Sequence, residues 1–152
     1  MEDSAPRPRR LRAAKPAAAN RQEATTGPHE PRLRALVAVV EPAALRLFRA
    51  VLEDSGFEID TVDSGIGAVI AARERHPDVI LMDLQLRDVP AREAVEWLRS
   101  NPGLRSTPII VLTANSDEKL DAAAILPGAL LRKPVSPMTI RRAISGVLER
   151  AP

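Results

Sequence analysis

Three short apolar segments of the chain end in polar side chains of complementary chemistry, which are Asp83, Thr113 and Lys133. A carboxylate can act as a nucleophile, a hydroxyl can donate to a developing oxyanion, and an ammonium can neutralise an anion. Each also has an ordinary structural explanation, as a helix cap, a loop hydrogen bond or a solvated charge. Their chemistry therefore depends on whether the fold brings them together.

From Arg34 onwards, short apolar runs alternate with helical patterns, which predicts βα units around a parallel sheet. Strands are predicted at 35–40, 57–62, 79–83, 108–113 and 129–132. Helices are predicted from Pro42 to a stop at Gly56, at 64–75, 90–100, from a Ser116 cap to 126, and at 137–150.

The strands differ in a way that predicts their order. The second, Phe57-Glu-Ile-Asp-Thr-Val62, alternates apolar and polar residues as edge strands do, whereas the first, third and fourth are unbroken apolar runs. We therefore predict an α/β, doubly wound, flavodoxin-like sheet of five parallel strands in the order 2-1-3-4-5. Chemistry in such sheets gathers at the carboxyl ends of the strands, where Asp83, Thr113 and Lys133 would converge.

Composition limits the class of protein. A chain of 152 residues, 45% of them hydrophobic, can form one globular core. It has no cysteine, which excludes disulfides, iron–sulfur clusters and thiolate zinc sites. Its apolar runs are too short to span a bilayer, and no apolar signal segment is present. We therefore expect a soluble, cytoplasmic protein with no membrane partner.

The first part of the chain has a separate character. Residues 1–34 contain eight basic and four acidic residues, and five prolines lie within residues 1–31. We predict that 1–31 is a disordered basic leader and that 32–150 is the folded domain. A nucleic-acid-binding arm is the alternative, but the first 34 residues contain no aromatic side chain on which bases could stack.

Over about residues 33–150 the chain resembles the receiver domain of bacterial response regulators. The resemblance rests on four stretches and on the interval from Asp83 to Thr113. The stretches are Val79–Leu86, Pro108–Ala114, Arg132–Pro134 and Leu52–Phe57. It implies a stand-alone response regulator in two-component phosphorelay signalling, which is not an enzyme.

The resemblance also assigns roles. Asp83 would be the phosphoacceptor that attacks a phosphohistidine, and Thr113 the switch hydroxyl that hydrogen-bonds the phosphoryl group. Lys133 would pair with Asp83 and then with the phosphate, and the Lys133–Pro134 bond would be cis. The implied partners are a sensor histidine kinase or a histidine phosphotransfer protein, and a downstream protein target. No output domain is predicted after the last helix, so we expect output through protein contacts rather than nucleic acid.

The magnesium site departs from the family pattern. Receivers normally end their first strand with two adjacent acids, and those positions are Val39 and Val40 here. Asp83 and the neighbouring Glu41 are the remaining candidate ligands, so Mg²⁺ binding would be weak or absent. Asp83 and Lys133 would then form a standing ion pair in a pocket that is poor in metal.

Further departures leave alternatives open. Leu130 stands where relatives often carry a signalling aromatic, and Arg87 where proline is common. A pseudo-receiver that binds proteins without phosphorylation is therefore the second hypothesis. An aspartate-nucleophile phosphatase would need a second acid at Gln85. A flavin protein would need a phosphate-binding loop after the first strand, where Glu41-Pro-Ala-Ala44 stands instead.

Overall fold

The computed structural model describes residues 32–114 and 127–150, which form a five-stranded parallel sheet in the order β2-β1-β3-β4-β5. The strands are β1 (Arg34–Ala38), β2 (Glu58–Val62), β3 (Val79–Asp83), β4 (Ile109–Thr113) and β5 (Gly128–Arg132). The helices are α1 (Pro42–Asp54), α2 (Gly65–Arg75), α3 (Ala91–Ser100) and α4 (Pro137–Arg150), with a 3-10 turn at Pro102–Leu104. The predicted fold class and strand order are confirmed. The predicted leader at 1–31 and the predicted helix at 116–126 lie outside the described residues.

Helices cover both faces of the sheet, which explains the unbroken apolar strands. In β3, Ile80 and Met82 pack in one core cluster with residues of α2 and α3. The alternate residues Val79 and Leu81 pack in a second cluster with residues of α1 and α4. Every residue of β3 and β4 is buried, whereas β2 at the edge is only partly covered. In the described part of the chain, no helix is long and apolar enough to cross a membrane.

The predicted end of the first strand is wrong by two residues. β1 ends at Ala38, which pairs with Val62, the last residue of β2. Val39 still donates its N–H to the Val62 carbonyl, but from Val40 the chain must turn to enter α1 at Pro42, which has no N–H for a sheet bond. The other boundaries agree with the prediction to within two residues.

One arginine joins three segments at the end of the sheet opposite the strand carboxyl termini. Arg99, on the last turn of α3, donates from Nη1 to the carbonyl oxygens of Leu104, Arg105 and Thr107 at 3.1, 3.1 and 2.7 Å. Its Nη2 donates to the Pro127 carbonyl at 3.0 Å. Burial lowers the pKa of the Arg99 guanidinium. Arg99 thus holds the approaches to β4 and β5 against α3.

We predict that Arg99→Met destabilises the domain by about 2 to 3 kcal/mol, since several half-buried carbonyls would lose a charged donor. The measurement is the urea midpoint of unfolding, compared with Arg92→Met, an exposed arginine on the same helix. Equal midpoints for the two variants would show that the Arg99 hydrogen bonds contribute nothing to stability.

Candidate functional site

Asp83 ends the buried strand β3, and both of its carboxylate oxygens are held. Its residue surface is only 5% exposed. Oδ1 accepts a hydrogen bond from the backbone N–H of Gln85 at 3.0 Å, and Oδ2 lies 2.5 Å from the Lys133 Nζ. A buried carboxylate needs such partners because an unpaired charge in the interior is costly. The carboxylate is therefore oriented and paired at the edge of the sheet.

Lys133 follows β5 directly and reaches Asp83 across the end of β4. Its backbone N–H donates to the Thr113 carbonyl at 2.8 Å, which continues the pairing of β4 with β5 by one residue. The Lys133–Pro134 peptide bond is cis, as the resemblance implies. The side chain of Lys133 is 25% exposed, so it lies between the buried carboxylate of Asp83 and the solvent.

Thr113 lies in the same layer. It ends β4, one position beyond Leu112, which pairs with Asp83 in the register of β3 and β4. The residue is almost fully buried. The fold therefore brings the three predicted residues to one sheet edge, and it places Asp83 and Lys133 in direct contact. Their functional roles stay predictions.

Val39 and Val40, the residues that the resemblance aligns with the usual acids, differ in exposure. Val39 is 4% exposed and packs in the apolar cluster that contains Phe48, whereas Val40 is 37% exposed. The next residue, Glu41, places Oε1 3.8 Å from the Lys133 Nζ, and its side chain is largely exposed. Within 32–114 and 127–150, no three His, Cys, Asp or Glu side chains are grouped so that they could hold a metal ion. The described donors are therefore a poor fit to Mg²⁺, which favours several oxygen ligands in octahedral geometry.

A groove of about 370 Å³ opens beside Lys133. Its walls are mainly apolar and come from α1, the ends of β4 and β5, and the connection to α4. The lining residues are Glu41, Ala43, Ala44, Leu47, Phe48, Leu112, Ala114, Lys133, Pro134 and Val135. Apolar side chains of another molecule could therefore enter the groove and lie beside the ammonium of Lys133.

The connection from β3 to α3 contains a residue that the sequence analysis did not single out. Asp88 accepts from the N–H groups of Gly65 and Ile66 at the start of α2, at 2.7 and 3.0 Å, and from its neighbour Val89 at 2.8 Å. Desolvation raises the pKa of Asp88, but these backbone hydrogen bonds together outweigh it and hold the pKa below its usual 3.8. Because Asp88 lies 23 positions after Gly65, no local capping pattern could have predicted the contact.

Comparison with known proteins agrees with this geometry. The family model for the response regulator receiver domain matches residues 36–145, which is most of the chain. This chain belongs to the response regulator receiver domain family. Receiver domains are signalling modules of two-component systems.

Individual relatives support the assignment of this receiver. It is 42% identical over 95 residues to the polar-differentiation response regulator DivK of Brucella ovis, an alignment that covers 60% of this chain and 76% of DivK. Among solved structures, a sensor protein from Polaromonas sp. JS666 superimposes with a TM-score of 0.72 at 25% identity, covering 79% of this receiver and 98% of that chain.

A third similar protein was solved with a metal ion. The receiver domain of sensor histidine kinase PA1611 from Pseudomonas aeruginosa PAO1 has a magnesium ion coordinated in its active site cleft. It is 27% identical to this receiver with a TM-score of 0.69, covering 78% of this chain and 99% of that one.

Proposed function

We propose that this chain is a phosphorelay receiver in which Asp83 accepts a phosphoryl group and Lys133 supplies most of the neutralising charge. The observation that carries the proposal is the contact between the Asp83 Oδ2 and the Lys133 Nζ at 2.5 Å, at the carboxyl edge of the sheet. The proposed donor is a phosphohistidine of a sensor histidine kinase or of a histidine phosphotransfer protein.

The chemistry follows from the two held oxygens of Asp83. A carboxylate oxygen keeps a free lone pair while it accepts one hydrogen bond, so it can still attack phosphorus. The new bond forms between that oxygen and phosphorus, and the P–N bond to the donor imidazole breaks, leaving its electron pair on the imidazole nitrogen. The Lys133 ammonium is then positioned to move from the carboxylate to the phosphoryl oxygens, where the charge is spread. In this proposal the hydroxyl of Thr113 donates to one of those oxygens.

The balance of charge supports weak dependence on magnesium. Among the described residues, Asp83 faces one lysine, and Glu41 lies 3.8 Å from the same ammonium, so one or two negative charges meet one positive charge. Two further acids at positions 39 and 40 would require a divalent cation, but valines stand there. Where Mg²⁺ does bind a receiver, it neutralises the phosphoryl oxygens. In the described part of the chain, Asp83 and Glu41 are the carboxylates near Lys133 that could contact it.

The proposed output is contact with a downstream protein target. The groove beside Lys133 is mainly apolar and adjoins the phosphoacceptor, so a partner that fills it would be sensitive to the position of the ammonium. Leu130 on β5 is exposed, and the resemblance aligns it with the signalling aromatic of relatives. It supports a readout that does not depend on the rotation of an aromatic ring.

A second candidate function, a phosphorylation-independent pseudo-receiver, is favoured by the same ion pair. Lys133 already neutralises the charge of Asp83. The site therefore has the net charge that it would otherwise reach only with a phosphoryl group and a bound cation. In that case the domain would be a protein-binding module with no phosphorylated state, and Val39 and Val40 would stand in place of metal-binding acids.

Incubation with acetyl phosphate, and separately with a phosphorylated histidine donor, distinguishes the two functions. We expect a hydrolytically labile adduct of about 80 Da on the wild-type chain, the mass of one phosphoryl group, measured by intact-protein mass spectrometry. Asp83→Ala should abolish it. Asp54→Ala, which removes an exposed carboxylate that pairs with Arg141, should not. A wild-type chain without an adduct, with or without Mg²⁺, would contradict phosphorylation and favour the pseudo-receiver.

A further inference from the structure

We infer that Asp88 is a positioning residue for the phosphoacceptor: it ties the loop that orients Asp83 to the start of α2. The inference rests on the proposed function, because it assigns Asp88 a part in the reaction of Asp83. The loop comprises residues 84–90, between β3 and α3. It contains Gln85, whose backbone N–H donates to the Asp83 Oδ1.

Apart from an exposed ion pair of Arg87, contacts at three places hold the loop. At its beginning, the N–H of Leu84 donates to the Leu112 carbonyl of β4 at 2.8 Å. At its end, the N–H of Ala91 donates back to the Leu84 carbonyl at 3.4 Å. Between these points, Asp88 is the anchor, with both carboxylate oxygens on backbone N–H groups of α2. Removing it would leave the middle of the loop with a weaker attachment.

The contact with α2 is tight and complementary in charge. A Cβ atom on Gly65 would come within 2.4 Å of the Val89 Cγ2, so any larger residue at the first position of α2 would require the Val89 side chain to move. Asp88 satisfies the two N–H groups of Gly65 and Ile66, while the Ser64 Oγ accepts from Gly67 at 2.9 Å. A carboxylate at the positive end of the helix dipole is also favourable.

A second contact, between the loop and the connection from β2 to α2, offers a control. The Arg87 Nε lies 3.0 Å from the Asp63 Oδ2, and both side chains are well exposed. Exposed ion pairs of this kind contribute little because water and salt screen them. Asp88 is also exposed, but its hydrogen bond to the N–H of Gly65 is partly buried. We therefore expect the loop position to depend on Asp88 and not on the pair of Arg87 with Asp63.

The test is the rate of Asp83 phosphorylation by acetyl phosphate in wild type, Asp88→Ala, Asp88→Asn and Asp63→Ala. We expect the maximal rate to fall about tenfold in Asp88→Ala, with little change in the donor concentration at half-maximal rate, because the nucleophile is less well oriented while the donor still binds. Asp88→Asn should lie between, since it keeps one acceptor oxygen, and Asp63→Ala should match wild type. The amide NMR signal of Gln85 should shift in Asp88→Ala and not in Asp63→Ala.

The outcomes separate this inference from the proposed function. Phosphorylated wild type with an unchanged maximal rate and an unchanged Gln85 amide signal in Asp88→Ala would overturn the inference alone. A wild-type chain that takes no phosphoryl group would overturn the proposed function, and the inference with it. If the alanine variant unfolds, Asp88→Asn provides the same comparison of rate and amide signal. This variant keeps one of the two oxygens that accept hydrogen bonds from α2.

Asp88 should also make stability depend on pH. Its pKa is lowered in the folded state, so its contribution is fully present above the pKa of the unfolded chain and is lost as the pH falls through the folded value. We expect wild type to be more stable than Asp88→Asn in urea above about pH 5, with the difference shrinking below the ordinary value of 3.8. A difference that stays constant from neutral to acidic pH would show that the carboxylate charge plays no part.

Discussion

Lys133→Met is expected to slow phosphorylation of Asp83 by about 100-fold, the cost of removing one preorganised charge from the oxygens where charge develops. The same change leaves the buried Asp83 carboxylate without its cation, so the free energy of unfolding should fall by about 2 kcal/mol. The loss of rate would be measured with acetyl phosphate by intact-protein mass spectrometry, and the stability by urea unfolding at pH 7.

The matched control for this variant is Arg141→Met. Arg141 makes an ion pair with Asp54 at 2.6 Å, nearly as short as the pair of Lys133 with Asp83. The side chains of Arg141 and Asp54 are both well exposed. Because solvent screens the exposed pair, its removal should cost less than about 1 kcal/mol and leave the rate unchanged. A Lys133→Met rate within twofold of wild type would contradict the role given to the lysine.

Val40→Asp is expected to raise the affinity for Mg²⁺ by about tenfold or more. The substitution adds a carboxylate next to Glu41, at the edge of the sheet where Asp83 lies, and the affinity of oxygen sites for hard cations rises with the number of charged ligands. Val40 is the suitable position because it is partly exposed, whereas Val39 is buried in the apolar core. A carboxylate at position 39 would be costly to bury.

Isothermal titration calorimetry with MgCl₂ measures this affinity, and Ile70→Asp is the control. Ile70 is half exposed on α2, so the control adds the same charge away from Asp83. Only Val40→Asp should gain affinity. Tight binding by the wild-type chain, or an equal gain in both variants, would contradict the view that the missing acid at position 40 limits metal binding.

The fold was predictable because its strongest signals are local. Unbroken apolar runs identify strands that are covered on both faces, and the alternating pattern of the second strand identifies the edge. The end of β1 was not predictable from its composition. Val39 and Val40 continue the apolar run, and only the neighbouring strand and the entry into α1 at Pro42 decide where pairing stops.

The candidate site divides in the same way. Asp83, Thr113 and Lys133 could be selected because each ends an apolar run, and the ends of parallel strands meet at one edge. Asp88 could not be selected, because its partners Gly65 and Ile66 belong to another element and donate to its carboxylate only in the folded chain. Arg99 was missed for a similar reason, since its acceptors are backbone carbonyls, which any sequence provides.

The dependence of the phosphorylation rate on magnesium tests the central claim most directly. The rate of Asp83 phosphorylation by acetyl phosphate would be measured on the wild-type chain in excess EDTA and in millimolar MgCl₂. If Lys133 supplies most of the neutralising charge, the adduct forms in both conditions and the two rates differ by less than about tenfold. An adduct that forms only when Mg²⁺ is present would contradict the account.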